Sequence, residues 1–110
     1  MATQEILGLT IEKGEDFSTS FVIESFDGNL LDLTNYTAIS KIRKYPSSPN
    51  FKSFETEVLG STGYVNLIMS RLVTATLSSG RNYFDVLLTN GIETIKPIKG
   101  TIMVEETASL

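Results

Sequence analysis

The chain has 110 residues, 41% of them apolar, enough for a single core and more than a disordered chain carries. It contains no cysteine and no histidine, which excludes disulfides, thiolate metal sites, cysteine nucleophiles, imidazole bases and the Ser-His-Asp triad. A net charge of −4 with both signs interspersed argues against a nucleic-acid partner, which needs a clustered basic face.

The first ten residues, "MATQEILGLT", lack the basic region and long apolar run of a secretory signal. No apolar stretch is long enough to span a bilayer, so a soluble chain without a membrane partner is expected.

Strand signals begin at once. "EILGLTIEK" places Leu7, Leu9 and Ile11 at alternate positions. "FSTSFVIES" places Phe17, Thr19, Phe21 and Ile23 on one face and Ser18, Ser20, Val22 and Glu24 on the other. Alternation of this kind turns one face to a core and the other to water. Between the two lies "GED", where Glu12, Lys13, Glu15 and Asp16 crowd around Gly14. These acids lack the fixed spacing of a calcium loop and read as a solvated hairpin tip.

Asp27-Gly28 is a two-residue hairpin signal, since a type I′ turn needs positive φ at both central positions. Leu30 and Leu31 open a return strand, and "DLTNYT" reads as a tight turn in which Asp32 and Thr34 bond local backbone. "TAISKIRKY" is a strand with Ala38, Ser40 and Ile42 alternating against Ile39, Lys41 and Arg43, and the pattern leaves its inward face open. "YPSSPNFKS" is a loop.

"FETEVLG" alternates Phe54, Thr56 and Val58 against Glu55 and Glu57, "GSTG" closes a hairpin, and "YVNLIMS" returns with Val65, Leu67 and Met69 on one face. "SRLVTATLSSG" suits a short helical turn, with Ser70 as its cap and Gly80 after its end. "RNYFDVLLT" alternates again, and Asn90-Gly91 is a second hairpin signal. In "IETIKPIKG", Pro97 cannot donate to a ladder, which places this strand at an edge or ends it there. "TIMVEE" is the last strand, and Gly60, Gly63, Gly80, Gly91 and Gly100 are assigned to turns.

This beat predicts an all-β fold, an immunoglobulin-like antiparallel β-sandwich of about seven to nine short strands with one short helical turn. One domain is expected over residues 1–110, with 1–4 and 106–110 as frayed ends. Catalytic, cofactor and metal sites are all expected to be absent. Glu24, Asp27 and Asp32 are close enough in sequence to act as paired carboxylates, but turn and strand-end positions account for all three. Lys41, Arg43 and Lys44 form a small basic patch beside Tyr45, which Glu55 and Glu57 are expected to offset within the same sheet region. The "YPSSPNFKSF" loop offers Tyr45, Phe51 and Phe54, either as a partner interface or as cover over the open end of the core.

The succession "LTIEKGEDFSTSFVI", "DGNLLDLTNYTAISKIRK", "SRLVTATLSSGRNYFDVLLTNG" and "GTIMVEE" resembles the N-terminal β-sandwich modules of bacteriophage baseplate, tail-fibre and other virion structural proteins. The resemblance covers residues 9–105 and rests on turns and core positions. It implies an attachment or assembly part, with Leu33, Tyr36 and Ala38 as core and turn residues and Gly80, Tyr83 and Asp85 at the start of a late strand. It carries over no binding residues. Longer relatives continue into fibre or receptor-binding parts, whereas this sequence stops at Leu110, so the expectation is a small decorating, connecting or adaptor subunit. The implied partners are other virion proteins and further copies of the chain, and the implied location is the virion after synthesis in the host cytoplasm. A carbohydrate-binding or host-adsorption module is the alternative.

Overall fold

The structure, a computed structural model, describes residues 3–24 and 32–109. The Asp27-Gly28 hairpin signal, the return strand at Leu30 and Leu31, and Asp27 itself lie outside the described residues. The described chain forms eight strands. They are β1 (Gln4–Glu12), β2 (Phe17–Val22), β3 (Thr37–Arg43), β4 (Lys52–Ser53), β5 (Glu55–Leu59), β6 (Tyr64–Met69), β7 (Gly80–Thr89) and β8 (Thr94–Glu105). A 3-10 turn over Gly60–Thr62 joins β5 to β6, and a single turn of helix, α1 (Arg71–Thr74), joins β6 to β7.

The strands make two sheets, one ordered β1-β8-β7-β3-β4 and one ordered β2-β6-β5. This is an all-β sandwich. Lettered by chain order with the two-residue β4 taken as C′, β2-β6-β5 is the B-E-D triplet and β3-β7-β8 the C-F-G triplet of the immunoglobulin arrangement. Pairing is antiparallel except between β1 and β8, which run parallel. A parallel pair needs a long connection, and here the whole domain supplies it.

Alternation sets the core. Phe17 and Phe21 on β2, Val65, Leu67 and Met69 on β6, and Phe84, Val86 and Leu88 on β7 all turn inward. Ile42 on β3 and Ile98, Ile102 and Val104 on β8 complete the opposing layer. Four phenylalanines meet inside, with Phe54 6.0 Å from Phe17 and 6.5 Å from Phe84, and Phe21 6.1 Å from Phe84. These offset and edge contacts are favoured arrangements for aromatic rings. The open question at β3 resolves with Ala38, Ser40 and Ile42 inward, and the Ser40 hydroxyl donates to the Asp85 carbonyl at 2.7 Å.

Three expectations about β1 and β8 need correction. In β1 the inward residues are Ile6, Leu9 and Ile11, while Leu7 is 66% exposed. The register slips between Ile6 and Leu9, and Gly8 takes φ +92. This bulge shifts the alternation by one position. Pro97 lies in β8, an interior strand between β1 and β7, rather than at an edge. It is tolerated beside a second register shift, opposite Val86 to Leu88, where the ladder is already interrupted.

Gly100 is likewise mid-strand and not in a turn. A Cβ there would fall 2.9 Å from the Ile6 carbonyl carbon and 3.0 Å from the Phe84 ring, with the Ile6 oxygen closer still. Close approach of β1 requires the missing side chain. The described residues beside the two ends make contacts of their own. Gln4 already pairs with Ile98, the Thr107 hydroxyl donates to the Lys13 carbonyl at 2.7 Å, and Glu106 accepts from Ser79 and Lys13.

The acidic segment expected as a hairpin tip instead links β1 to β2 across the two sheets, as a built corner. Gly14 takes φ +82, and its N–H donates to Thr74 Oγ1 at 3.1 Å. The fully buried Thr74 hydroxyl donates in turn to the Glu15 carbonyl at 2.9 Å. Asp16 Oδ1 accepts the Arg71 N–H at 2.7 Å and so satisfies a first-turn donor that α1 leaves without a helical partner. Ser70, expected to cap α1, makes no side-chain cap bond.

Candidate interaction surface

The outer face of the five-stranded sheet carries the most chemistry. Strand register builds it. Glu5 lies opposite Lys99, Lys99 opposite Asp85, and Asp85 opposite Lys41, a cross-strand row of alternating charge. One row along, Thr101 lies opposite Tyr83 and Tyr83 opposite Arg43. On the other side of the charged row, Leu87 lies opposite Ile39, which is 47% exposed. Opposite charges directly across a ladder support sheet pairing.

These rows line a concave depression of about 590 Å³ that also takes in Pro46 and Lys96. Lys96 pairs with Asp85 at 3.5 Å, both partly exposed, and such a pair contributes little stability. Four of the chain's nine cationic side chains therefore gather here against two acids, in a protein of net charge −4.

The aromatic residues of the 45–54 loop divide. Phe51 is 43% exposed, and its ring lies under Lys41 Nζ at 4.2 Å and Arg43 Cζ at 4.7 Å. That is cation–π geometry. Tyr45 is 52% exposed. Phe54 is 5% exposed between Phe17 and Phe84, so it belongs to the core and presents no surface to a partner. The loop is held by Arg43 Nη1 donating to the Ser48 carbonyl and by Ser48 N–H donating to the Tyr45 carbonyl at 2.9 Å. Lys44 leaves the patch and donates to the Ser79 carbonyl at 2.6 Å. Glu55 and Glu57 do not offset the patch, because β5 belongs to the other sheet.

No protein-family model matches the chain, and no curated protein matches it. Surface geometry and the residue pattern are what bear on its role.

Several of the other described acids make contacts within the fold. Asp32 is exposed, and its Oδ1 accepts from the Thr34 N–H at 2.9 Å and the Thr34 hydroxyl at 2.6 Å. Those bonds hold its carboxyl below the usual range. Glu24 is exposed just beyond β2. Glu12 lies opposite Glu105 in the parallel pair. Partial desolvation, then a hydrogen bond and repulsion from Glu105, push its carboxyl up. Glu106 is held down by the Ser79 hydroxyl and by Lys13 at 3.5 Å. The Tyr36 hydroxyl donates to Glu93, which raises the phenol. Among the described residues no three carboxylates converge to hold a metal ion.

Of the surface residues, Lys41, Arg43, Tyr45 and Phe51 are conspicuous in the sequence as a basic run beside a loop. Ile39 shares their face along β3, and Tyr83, Leu87, Lys96 and Lys99 join them only through the β3-β7-β8 register. Alternation marks each as outward or inward, but nothing local brings the three strands side by side.

Proposed function

We propose that the protein is a non-enzymatic structural subunit of a bacteriophage virion, a decorating, connecting or adaptor part. It acts by docking the outer face of its five-stranded sheet onto a neighbouring virion protein. The observation that supports this most is the role of the residues that carry the family resemblance. Leu33 and Gly80 build core and corner, while Tyr83 and Asp85 stand on the sheet face itself. Leu33 is 1% exposed, and its carbonyl accepts the Tyr36 N–H at 2.9 Å across the "DLTNY" turn. Gly80 takes φ +97 where β7 begins. Buried Asn82 ties that corner by donating to the Ser78 and Gly80 carbonyls at 2.8 and 3.1 Å. Tyr83 and Asp85 follow on the outer face.

Docking through such a face fits the physics of recognition. Aromatic and arginine side chains anchor interfaces, and alternating charge sets register more than affinity. Virion parts are commonly repeated by symmetry, so several copies per particle are expected. Mass spectrometry of density-gradient-purified particles is the test. The chain is expected among the particle proteins, and its absence from them, with the chain present in the lysate, rejects the reading.

Tyr45 and Phe51, both exposed on one loop, favour a second reading, a carbohydrate-binding or host-adsorption module. Sugar rings stack on open aromatic faces, and Phe51 has one of its faces taken by Lys41 and Arg43. Tyr45 is therefore the residue on which that reading stands. A glycan array without signal, together with host-cell adsorption unchanged by Tyr45→Ala, removes it.

A further inference from the structure

Opposite outer faces of the sandwich carry opposite charge. The three-stranded sheet turns Ile68 and Glu55 outward in one row, Ser20, Asn66 and Glu57 in the next, and Tyr64 and Leu59 in a third. Leu59, Tyr64, Ile68 and both glutamates are exposed. The three strands hold no lysine or arginine. The depression on the five-stranded face has four cations against two acids, an excess of two positive charges, and Glu55 and Glu57 supply two negative ones.

The two faces also share one frame. β1 leads directly into β2, which places β2 on the β1-β8 side. β4 leads into β5 through Phe54, whose N–H donates to the Ser40 carbonyl, which places β5 on the β3 side. β6, central in its sheet, therefore corresponds to β7, central among β8, β7 and β3. The Asp16 bond to the Arg71 N–H brings the start of β2 and the end of β6 to one end of the sandwich, and α1 leads from there into the start of β7. The row of Ile68 and Glu55 and the row of Tyr83 and Arg43 thus lie at the same end.

We propose that the depression on the five-stranded face seats the outer face of the three-stranded sheet of a second copy, so that copies stack head to tail. Moving one copy along the sheet normal sets β5 over β3, β6 over β7 and β2 over β8. Glu55 of the second copy then meets Arg43, Glu57 meets Lys41 and Leu59 meets Ile39. Both charge pairs sit two residues apart on one strand, so they share a pitch of about 7 Å. On the central strands Ile68 of the second copy meets Tyr83 and Tyr64 meets Leu87. Asn66, whose Nδ2 already donates to Glu57 at 2.9 Å, has a second amide hydrogen for Asp85. Ser20 of the second copy faces Lys99. Sheets packed face to face keep their strands within about 30° of each other, which holds this register over three short strands.

The contact is heterologous, since two different faces meet. Repetition closes a ring if the rotation between copies allows it and otherwise extends a stack. The inference rests on the docking reading for the face and adds the occupant, which is the chain itself.

The isolated full chain tests it. Sedimentation velocity over rising concentration is expected to show reversible association that continues past a dimer, and salt is expected to weaken it by screening the opposite charges. Glu57→Lys sets like charges across the middle row, and so does Lys41→Glu. Each variant alone is expected to associate roughly tenfold more weakly or worse, and an equal mixture of the two is expected to recover, because each then meets a face of opposite charge. Circular dichroism checks that both variants keep the fold. Because the chain has no cysteine, Ile39→Cys and Leu59→Cys each place a single thiol on one face. A short bis-maleimide is expected to cross-link a mixture of these two chains to dimer, and neither chain alone. A monomer at every concentration up to roughly 1 mM, association that Glu57→Lys leaves unchanged, or a mixture that does not recover overturns the proposal. Those results leave the virion role standing, with the face taken by a different virion protein. Stacking in solution by a chain absent from purified particles overturns the virion role alone.

Discussion

Gly100→Ala probes the tightest backbone approach in the sandwich. The new Cβ falls 2.9 Å from the Ile6 carbonyl carbon and 3.0 Å from Phe84 Cε1, with the Ile6 oxygen nearer. Two of these neighbours are main chain, so no rotamer change relieves the clash. Two outcomes are open to the molecule. It can strain β1, β8 and Phe84 together, which in a packed core costs about 1–3 kcal/mol. Or it can release the first half of β1, giving up the half-buried Ile6 and the pairing of Gln4 to Ile6 with β8. Losing part of a side chain's burial and two or three hydrogen bonds also comes to about 3 kcal/mol. Both routes point to the same magnitude, which in a domain of this size lowers Tm by roughly 12 °C.

Gly91→Ala is the control. Its φ is +89 with nothing within 4 Å of a Cβ, so only backbone strain of about 1 kcal/mol applies. Urea unfolding measures both variants, and amide exchange of residues 4–7 tells strain from release. A Gly100→Ala protein within about 0.5 kcal/mol of the parent refutes the reasoning about β1.

Phe54→Ala is expected to cost about 3–5 kcal/mol in urea unfolding, since the ring is buried between Phe17 and Phe84. Tyr45→Ala is expected to stay within about 0.5 kcal/mol of the parent. Asp16→Ala removes the bond to the Arg71 N–H and is expected to cost about 1 kcal/mol, whereas Ser70→Ala changes little. Equal effects of the two in thermal unfolding contradict Asp16 as the acceptor for that N–H. Glu12→Gln is expected to stabilise at pH 7. The folded protein holds the Glu12 proton more tightly than the unfolded chain does, so the ionised form is the disfavoured one, and the advantage of glutamine fades as pH falls through the raised pKa toward 4.5. An advantage that persists or grows in acid contradicts that sign.

The layered fold is readable from β2, β6 and β7, because each keeps strict alternation from end to end and each feeds the same core. β1 misleads by a single position. Its Leu7-Gly8 bulge is local in geometry but leaves Leu7, Leu9 and Ile11 looking like one face. Pro97 and Gly100 mislead for a longer-range reason. Proline and glycine punctuate isolated segments, yet here they serve the neighbours of an interior strand, one beside an interrupted ladder and one beneath the Ile6 carbonyl. Asp16 as the acceptor for the first N–H of α1 is likewise invisible locally, since 55 residues separate donor from acceptor.

The candidate surface is half readable. A basic run next to an aromatic loop points to Lys41, Arg43, Tyr45 and Phe51. The loop gives no way to tell Phe51 from Phe54, and one became surface while the other became core. The phase of β5 separates them, since Phe54 continues the inward set of Thr56 and Val58. Tyr83 enters through its register with Arg43 on β3, and Lys96 and Lys99 through the packing of β8 beside β7.

A density map of the assembled particle that resolves individual domains tests the docking claim most directly. The account predicts the sandwich seated with Ile39, Arg43, Phe51, Tyr83 and Leu87 covered by a neighbouring virion protein. A sandwich whose five-stranded face looks into solvent, with every contact made elsewhere, contradicts it.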